Sequence, residues 1–173
     1  MSETAIIGGG CFWCLDAIYR RVDGVKNVVC GYCGGKRKNP TYEQVCSGAT
    51  GHAEVVKIEF DPRIIGYREI LEIFFSIHDP TTLNRQGADI GTQYRSVIFP
   101  VDQTQERIAK ETINRLNPLF GNAIVTTIEP FDRFWPAEDY HQNFYDNNKG
   151  HGYCRAVIEP KIEKFHKTVG KRG

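Results

Sequence analysis

The sequence has no long apolar run and no excess of charge of either sign. No stretch approaches the roughly 18 consecutive apolar residues that indicate a membrane-spanning helix. The net charge of +1 gives no electrostatic footprint for nucleic acid or for an anionic membrane. The first residues carry no basic segment and no long apolar stretch, so we expect no secretory signal and a cytoplasmic location. We predict neither a membrane nor a nucleic-acid partner.

The composition is that of an ordinary globular protein. Hydrophobic residues make up 40% and charged residues 25% of the 173 positions, which excludes a disordered chain. The length is sufficient for one domain with a buried core. We predict a single domain over residues 1–173, with its core at about residues 4–144 and a mobile tail at about residues 145–173.

Strands and helices alternate along the chain. The hydrophobic patterns predict strands at Thr4–Ile7, Val25–Val29, Glu54–Phe60, Ser96–Pro100 and Ala123–Glu129. They predict helices at Cys11–Arg21, Tyr67–Ile77, Asp102–Leu116 and Ala137–Phe144. We therefore predict an α/β (α+β) fold, a two-layer sandwich with a mixed sheet, a ferredoxin-like core and an irregular C-terminal tail. Residues 30–53 and 79–94 fit no element, and long loops in compact domains are usually functional.

Six cysteines are unusual for a cytoplasmic chain of this size, because a reducing compartment does not favour structural disulfides. They are Cys11, Cys14, Cys30, Cys33, Cys46 and Cys154. Cys11 follows a predicted strand and three glycines, and it begins a predicted helix. Free backbone amides and the helix dipole lower the pKa of a thiol at that position. We therefore predict that Cys11 is a reactive thiol.

Two other interpretations of the first cysteines remain open at this point. Cys11, Cys14, Cys30 and Cys33 have the spacing C-x2-C-x15-C-x2-C of a structural zinc site. Phe12 and Trp13 are bulky for such a site, and the metal would occupy the best-placed thiol, so we expect no metal. A strand, C-x-x-C and a helix also open the glutaredoxin-like exchangers. That fold requires a later cis proline, usually after Val or Thr, and none of the eight prolines here follows either residue.

Five blocks of sequence resemble the methionine sulfoxide reductase A family. They are GCFWC (10–14), NPTYEQVCSGATGHAE (39–54), HDPTTLNRQGADIGTQYRS (78–96), AEDYHQNF (137–144) and GYC (152–154). The resemblance runs from about Ala5 to Cys154. It implies reduction of the S epimer of methionine sulfoxide, free or in proteins, with thioredoxin as the electron donor and no bound cofactor. It also implies that Cys11 is the nucleophile and Cys154 the resolving thiol.

The same resemblance implies roles for six further residues around the thiol. Phe12 and Trp13 match the pocket that receives the substrate methyl group. Tyr42 and Tyr94 match the hydroxyls that bind the sulfoxide oxygen. The remaining two are Glu54, which matches the acid, and Asp89, which matches a supporting polar residue. A carboxyl among aromatic rings can keep its proton near neutral pH, because desolvation raises its pKa.

The chain departs from the family pattern directly after the tryptophan. Cys14, Leu15 and Asp16 stand where the family commonly has a glycine and, two residues further on, a glutamate. Cys14 is three residues from Cys11 and therefore within possible reach of it on a helix. We favour Cys154 as the resolving thiol, because glycines surround it, and keep Cys14 as an alternative or a relay. The other three cysteines, Cys30, Cys33 and Cys46, are interpreted as structural or incidental.

Overall fold

The computed structural model describes residues 2–168. The strands are β1 (Glu3–Gly8), β2 (Val25–Cys33), β3 (Ala53–Phe60), β4 (Arg85–Gln86), β5 (Asp89–Ile90), β6 (Val97–Phe99), β7 (Thr127–Ile128) and β8 (Phe134–Pro136). The helices are α1 (Phe12–Tyr19), α2 (Tyr42–Cys46), α3 (Tyr67–Ile77), α4 (Gln103–Leu116), α5 (Phe144–Asn147) and α6 (Glu159–Thr168). Within this range no helix has both the length and the apolar character needed to cross a membrane.

Six strands form one mixed sheet in the order β7-β6-β1-β3-β2-β8. In this sheet β6 and β7 pair in parallel, while the other neighbours are antiparallel. The central order β6-β1-β3-β2, with α1 following β1 and α3 following β3, is the β-α-β-β-α-β arrangement of a ferredoxin-like core. The predicted sandwich with a mixed sheet is confirmed.

The main core lies between the sheet and the helices that cover one of its faces. Alternate residues of β3, such as Ile58 and Phe60, pack in this core against α1 and α3, which contributes Phe74. The opposite face carries a smaller apolar cluster that includes Val55 and Phe99. Burying one such side chain contributes about 1.5–3 kcal/mol. Packing on the sheet therefore fixes α1, and with it the position of Cys11.

The turn from β1 into α1 requires glycine at two positions. A Cβ atom on Gly9 would lie 2.8 Å from Cδ2 of His78. Gly10 has a φ of +80°, and a Cβ atom there would lie 2.7 Å from Cγ of Gln86. The backbone thus packs directly on these two side chains, and Cys11 follows immediately.

The prediction of an irregular C-terminal tail is wrong for the described residues, while the mobility of the tail stays a prediction. A π-helical turn covers Cys154–Ile158 and continues into α6. Ile158, Ile162 and Phe165 are buried in the main core. Their i, i+4, i+7 spacing is that of one helical face, which the glycines and charged residues around them obscured. The last part of the predicted tail, residues 169–173, lies outside the described residues.

Other elements differ from the predictions at their boundaries. β2 continues past Val29 to Cys33 because its far end pairs with β3 on one side and, on the other, with β8, a strand that was not predicted. The strand predicted at Ala123–Glu129 is reduced to β7. The helix predicted at Ala137–Phe144 is a 3-10 turn at Asp139–His141, after which α5 begins. The two unassigned segments contain α2 and the β4–β5 hairpin.

Candidate active site

Cys11 lies at the N-cap of α1 in an extended conformation, with φ −70° and ψ 130°. Its carbonyl accepts the Cys14 N–H at 3.1 Å, and its thiol shares a hydrogen bond with the Cys14 thiol. Both side chains are buried, at 9% and 2% exposure. The structure therefore brings the two thiols of GCFWC into direct contact.

The pKa values of the two thiols are shifted in opposite directions. Burial, together with the hydrogen bond to Cys14 and the nearby Glu54, raises the pKa of the Cys11 thiol well above its ordinary value. The hydrogen bond from Cys11 outweighs burial at Cys14 and lowers the pKa of that thiol to about 7, with help from Lys161. The low pKa predicted for Cys11 is therefore wrong, because desolvation exceeds the effect of the helix start. Cys11 is the hydrogen-bond donor and Cys14 the acceptor.

Glu54 lies on β3 beneath the start of α1 and is only 1% exposed. Its Oε1 accepts the Phe12 N–H at 3.2 Å. Its Oε2 is buried and has no hydrogen-bond partner among the described residues. Burial raises the pKa of this carboxyl to about 8, although the Phe12 N–H opposes the shift. Glu54 is therefore mostly protonated at neutral pH and carries an uncommitted oxygen.

Tyr42, the first residue of α2, and Tyr94, in the 3-10 turn Thr92–Tyr94, converge on one thiol. Both hydroxyls share hydrogen bonds with Cys46. Burial raises the pKa of both phenols, and Glu54 is close enough to contribute. Both hydroxyls are therefore protonated donors. The Gly10 N–H donates to the Tyr94 carbonyl at 3.0 Å, which ties the turn to the start of α1.

An aromatic wall stands beside the thiols. The Trp13 indole N–H donates to Nδ1 of His141 at 2.9 Å, and the indole stacks on Phe144 with ring centroids 3.6 Å apart. Phe12 lies 5.0 Å from the His141 ring. The edge of the wall is Tyr153, whose ring centroid lies 5.7 Å from that of Trp13. Phe12 and His141 are fully buried. The accessible part of the wall is therefore formed by Trp13 and Tyr153, which offer an apolar surface suited to a methyl group.

Asp89 joins the site through the segment that carries Cys154. The Tyr153 hydroxyl donates to Oδ2 of Asp89 at 2.7 Å and lies 3.8 Å from the Cys14 sulfur. Cys154, the next residue, is fully buried, and burial, followed by the charge of Cys14, raises the pKa of its thiol. The structure therefore gathers all the site residues predicted from the sequence, with Cys14 between Cys11 and the Cys154 segment.

The zinc interpretation fails on the geometry of β2. Cys30 packs in the main core, with its thiol 3.7 Å from the Phe12 carbonyl, whereas Cys33 packs in the cluster on the opposite face of the sheet. Four cysteines divided between two faces cannot share one ion. Across residues 2–168 no group of three or more His, Cys, Asp or Glu side chains could hold a metal, and all six thiols are unbridged.

Four residues that contact this site were not singled out from the sequence. They are Tyr32, Glu138, His141 and Tyr153. Three of them lie within AEDYHQNF and GYC, so those blocks were the available signal. Tyr32 offered none, because it lies on the part of β2 that was predicted as a loop.

The fold and the site together define a class of protein. Paired thiols at a helix start, a neutral buried carboxyl and two phenol donors on a ferredoxin-like α/β core are typical of a thiol-dependent oxidoreductase.

Comparison with known proteins identifies the family. The sequence model of the peptide methionine sulfoxide reductase family matches residues 3–172. The chain is 64% identical to the peptide methionine sulfoxide reductase MsrA of a Nitratiruptor species, over 95% of each sequence. It is 59% identical to the MsrA of Saccharolobus solfataricus, over 95% of this chain and 93% of that one. It therefore belongs to the peptide methionine sulfoxide reductase family, and this assignment replaces the glutaredoxin-like alternative.

Solved structures agree with the assignment. Mxr1 from Saccharomyces cerevisiae in its reduced form superposes with a TM-score of 0.83 and 37% identity, covering 88% of this chain and 89% of that one. Mxr1 in complex with Trx2 superposes with a TM-score of 0.59 and 27% identity, covering 83% and 84% respectively. The fold described here is that of the family.

The buried carboxyl gives a pH-dependent prediction about stability. The folded protein holds the Glu54 proton up to a pH of about 8, whereas the unfolded chain loses it near the ordinary value of 4.5. The parent should therefore lose stability, relative to Glu54→Gln, as the pH rises through this window, by about 1.4 kcal/mol per pH unit. Urea unfolding of both proteins at several pH values measures the difference. Parallel stability curves for the two would contradict the raised pKa.

Proposed function

We propose that this chain, acting as a single domain, reduces the S epimer of methionine sulfoxide, free or in proteins, to methionine. Membership of the family supports the reaction. The observation that carries the assignment of roles is the neutral Glu54 carboxyl, which has one free oxygen and lies near Cys11 and two phenol donors. A sulfoxide needs a nucleophile at sulfur and proton donors at oxygen, and this arrangement supplies both.

In the proposed reaction the Cys11 sulfur attacks the sulfoxide sulfur while Glu54 protonates the oxygen. Tyr42 and Tyr94 donate hydrogen bonds to the charge that develops on that oxygen. The oxygen ends on Cys11 as a sulfenic acid, and methionine leaves as the thioether. The thiol is oxidised by two electrons and the sulfoxide is reduced by two. The proton that Cys11 loses replaces the one that Glu54 gives to the oxygen. The neighbouring Cys14 sulfur accepts a hydrogen bond from the Cys11 thiol.

Substrate orientation is assigned to the aromatic wall and the acidic residue beside it. Phe12 and Trp13 face the methyl group, and sulfur–aromatic contacts of about 0.3–1.5 kcal/mol orient a small substrate without binding it tightly. Asp89 supports the polar side of the pocket through its hydrogen bond with Tyr153. We expect no bound metal or cofactor to take part.

For the disulfide steps we propose Cys14 as the resolving thiol and Cys154 as a relay. This reverses the order favoured from the sequence, because Cys154 is buried within a helical turn. Cys14 already contacts Cys11, and its pKa of about 7 supplies the thiolate. It condenses with the sulfenic acid to form a disulfide and water. Cys154 then exchanges into that disulfide, and π-helical segments such as its own are frequent at functional sites.

We propose that a thioredoxin reduces the final disulfide. The complex of Mxr1 with Trx2 supports this choice of partner. We also propose a cytoplasmic location, which unbridged thiols favour.

The substitution Cys11→Ser tests the nucleophile. A serine oxygen is a far weaker nucleophile than a thiol sulfur and cannot take up the sulfoxide oxygen as a sulfenic acid, so reduction should be abolished. The measurement supplies each epimer of a methionine sulfoxide peptide with dithiothreitol and follows the methionine released. Cys33→Ala, on the opposite face of the sheet, should keep the activity of the parent. Near-normal turnover by Cys11→Ser, or reduction confined to the R epimer by the parent, would refute the proposal.

The substitution Cys14→Ser separates the two possible resolving thiols. It should release about one methionine per enzyme and then stop with thioredoxin, since the sulfenic acid has lost its partner. Cys154→Ser should still form a Cys11–Cys14 disulfide, which peptide mapping detects, but should recycle slowly with thioredoxin. If Cys14→Ser turns over normally with thioredoxin, Cys154 resolves the sulfenic acid directly and the proposed order is wrong.

A further inference from the structure

Glu138 is a half-buried carboxylate in the block AEDYHQNF. It links this block to NPTYEQVCSGATGHAE and does not contact the thiols. Its Oε1 accepts the hydroxyl hydrogen of Tyr32 at 2.9 Å. Its Oε2 accepts the backbone N–H of Tyr42, also at 2.9 Å. One side chain therefore connects β2 to the first residue of α2, which carries one of the two phenols proposed to bind the sulfoxide oxygen.

The β2 side of this connection is rigid. Tyr32 is fully buried, lies directly opposite Glu54 in the β2–β3 register and packs 5.7 Å from the Phe12 ring. The chain next to Glu138 is fixed as well, because the Ala137 N–H donates to the Cys30 carbonyl at 2.8 Å. Glu138 is thus anchored to β2, the strand that pairs with the strand carrying the proposed acid of the site.

Glu138 holds the Tyr42 backbone at the start of α2, while Val45 packs the helix into the main core. Helix α2 has only five residues, and so short a helix is not stable by itself. Its capping box joins Thr41 and Gln44 and does not use the Tyr42 N–H. That N–H is one of the free amides of a helix start, and a carboxylate is its favourable partner there. Glu138 therefore supplies the hydrogen bond that links the Tyr42 backbone N–H to the sheet.

We propose that Glu138 and Tyr32 form a positioning pair that holds the Tyr42 hydroxyl at the sulfoxide oxygen. The inference rests on the proposed function for its catalytic consequence. Neither residue touches the reacting atoms, and the pair acts through Tyr42. A displacement of about 1 Å in a catalytic group can cost on the order of 10²-fold in rate. A hydroxyl that acts on developing charge affects kcat more than KM.

Two substitutions at this position separate geometry from charge. Glu138→Ala removes both hydrogen bonds and should lower kcat by about 10- to 100-fold with little change in KM. Glu138→Gln should keep most of the activity, because its amide oxygen can accept the Tyr42 N–H while its NH2 group donates to the Tyr32 oxygen. Tyr32→Phe should have a smaller effect than Glu138→Ala. Asp146→Ala is the matched control. It removes a partly exposed carboxylate of α5 that forms an ion pair with Arg21 at 2.8 Å.

A double-mutant cycle excludes a general structural effect. In a Tyr42→Phe background the hydroxyl is already absent, so Glu138→Ala should cause little further loss of kcat. An equal loss in both backgrounds would mean that Glu138 acts on the whole fold, and the proposal would be wrong. The same conclusion follows if Glu138→Ala retains parental kcat.

A readout independent of activity completes the test. With 3-fluorotyrosine at position 42, the fluorine resonance of the full-length protein should shift or broaden in Glu138→Ala and stay near the parental position in Glu138→Gln and Asp146→Ala. An unchanged resonance in Glu138→Ala would overturn the inference. If the parent fails to reduce the S epimer, the proposed function fails, while the resonance still decides whether Glu138 holds Tyr42.

Discussion

The burial of Glu54 under the first turn of α1 is the constraint on which the site depends. A carboxyl removed from water keeps its proton at neutral pH, as the pKa of about 8 indicates. The Phe12 N–H occupies one oxygen, which leaves the other for a ligand. The same helix start holds Cys11, so a single packing arrangement sets the proposed acid and the proposed nucleophile relative to each other. The surrounding structure leaves Glu54 only 1% and Cys11 only 9% exposed.

The thiols follow from the same arrangement. A desolvated position beside an acid raises the pKa of Cys11, and the hydrogen bond to Cys14 lowers that of its neighbour. The pair therefore divides two roles, since Cys11 is the proposed nucleophile and Cys14 is the thiol that ionises more easily. Cys154, in the turn that leads into α6, is buried in the same core as Cys14.

Local patterns predicted the central elements well. Alternation along β3 and the helical stripe of α3 are strong short-range signals, and α3 matched its predicted range Tyr67–Ile77. The sequence blocks also identified the residues that meet in the site. The far end of β2 and the whole of β8 pair with each other across about 100 residues of chain. Such pairing leaves no periodic trace, and Tyr32 was missed for that reason, whereas Glu138 lay in a sequence block but was given no role there.

The most direct test of the account is the rate of the chemical step in Glu54→Gln. Single-turnover reduction of the S epimer, followed by the methionine formed across a range of pH, isolates this step from recycling by thioredoxin. A general acid typically contributes about 10²–10⁴-fold, so the rate at neutral pH should fall by roughly that factor, and the loss should shrink at lower pH. Substrate affinity should change far less. A fall of less than about threefold at neutral pH, with affinity unchanged, would mean that the proton comes from another group.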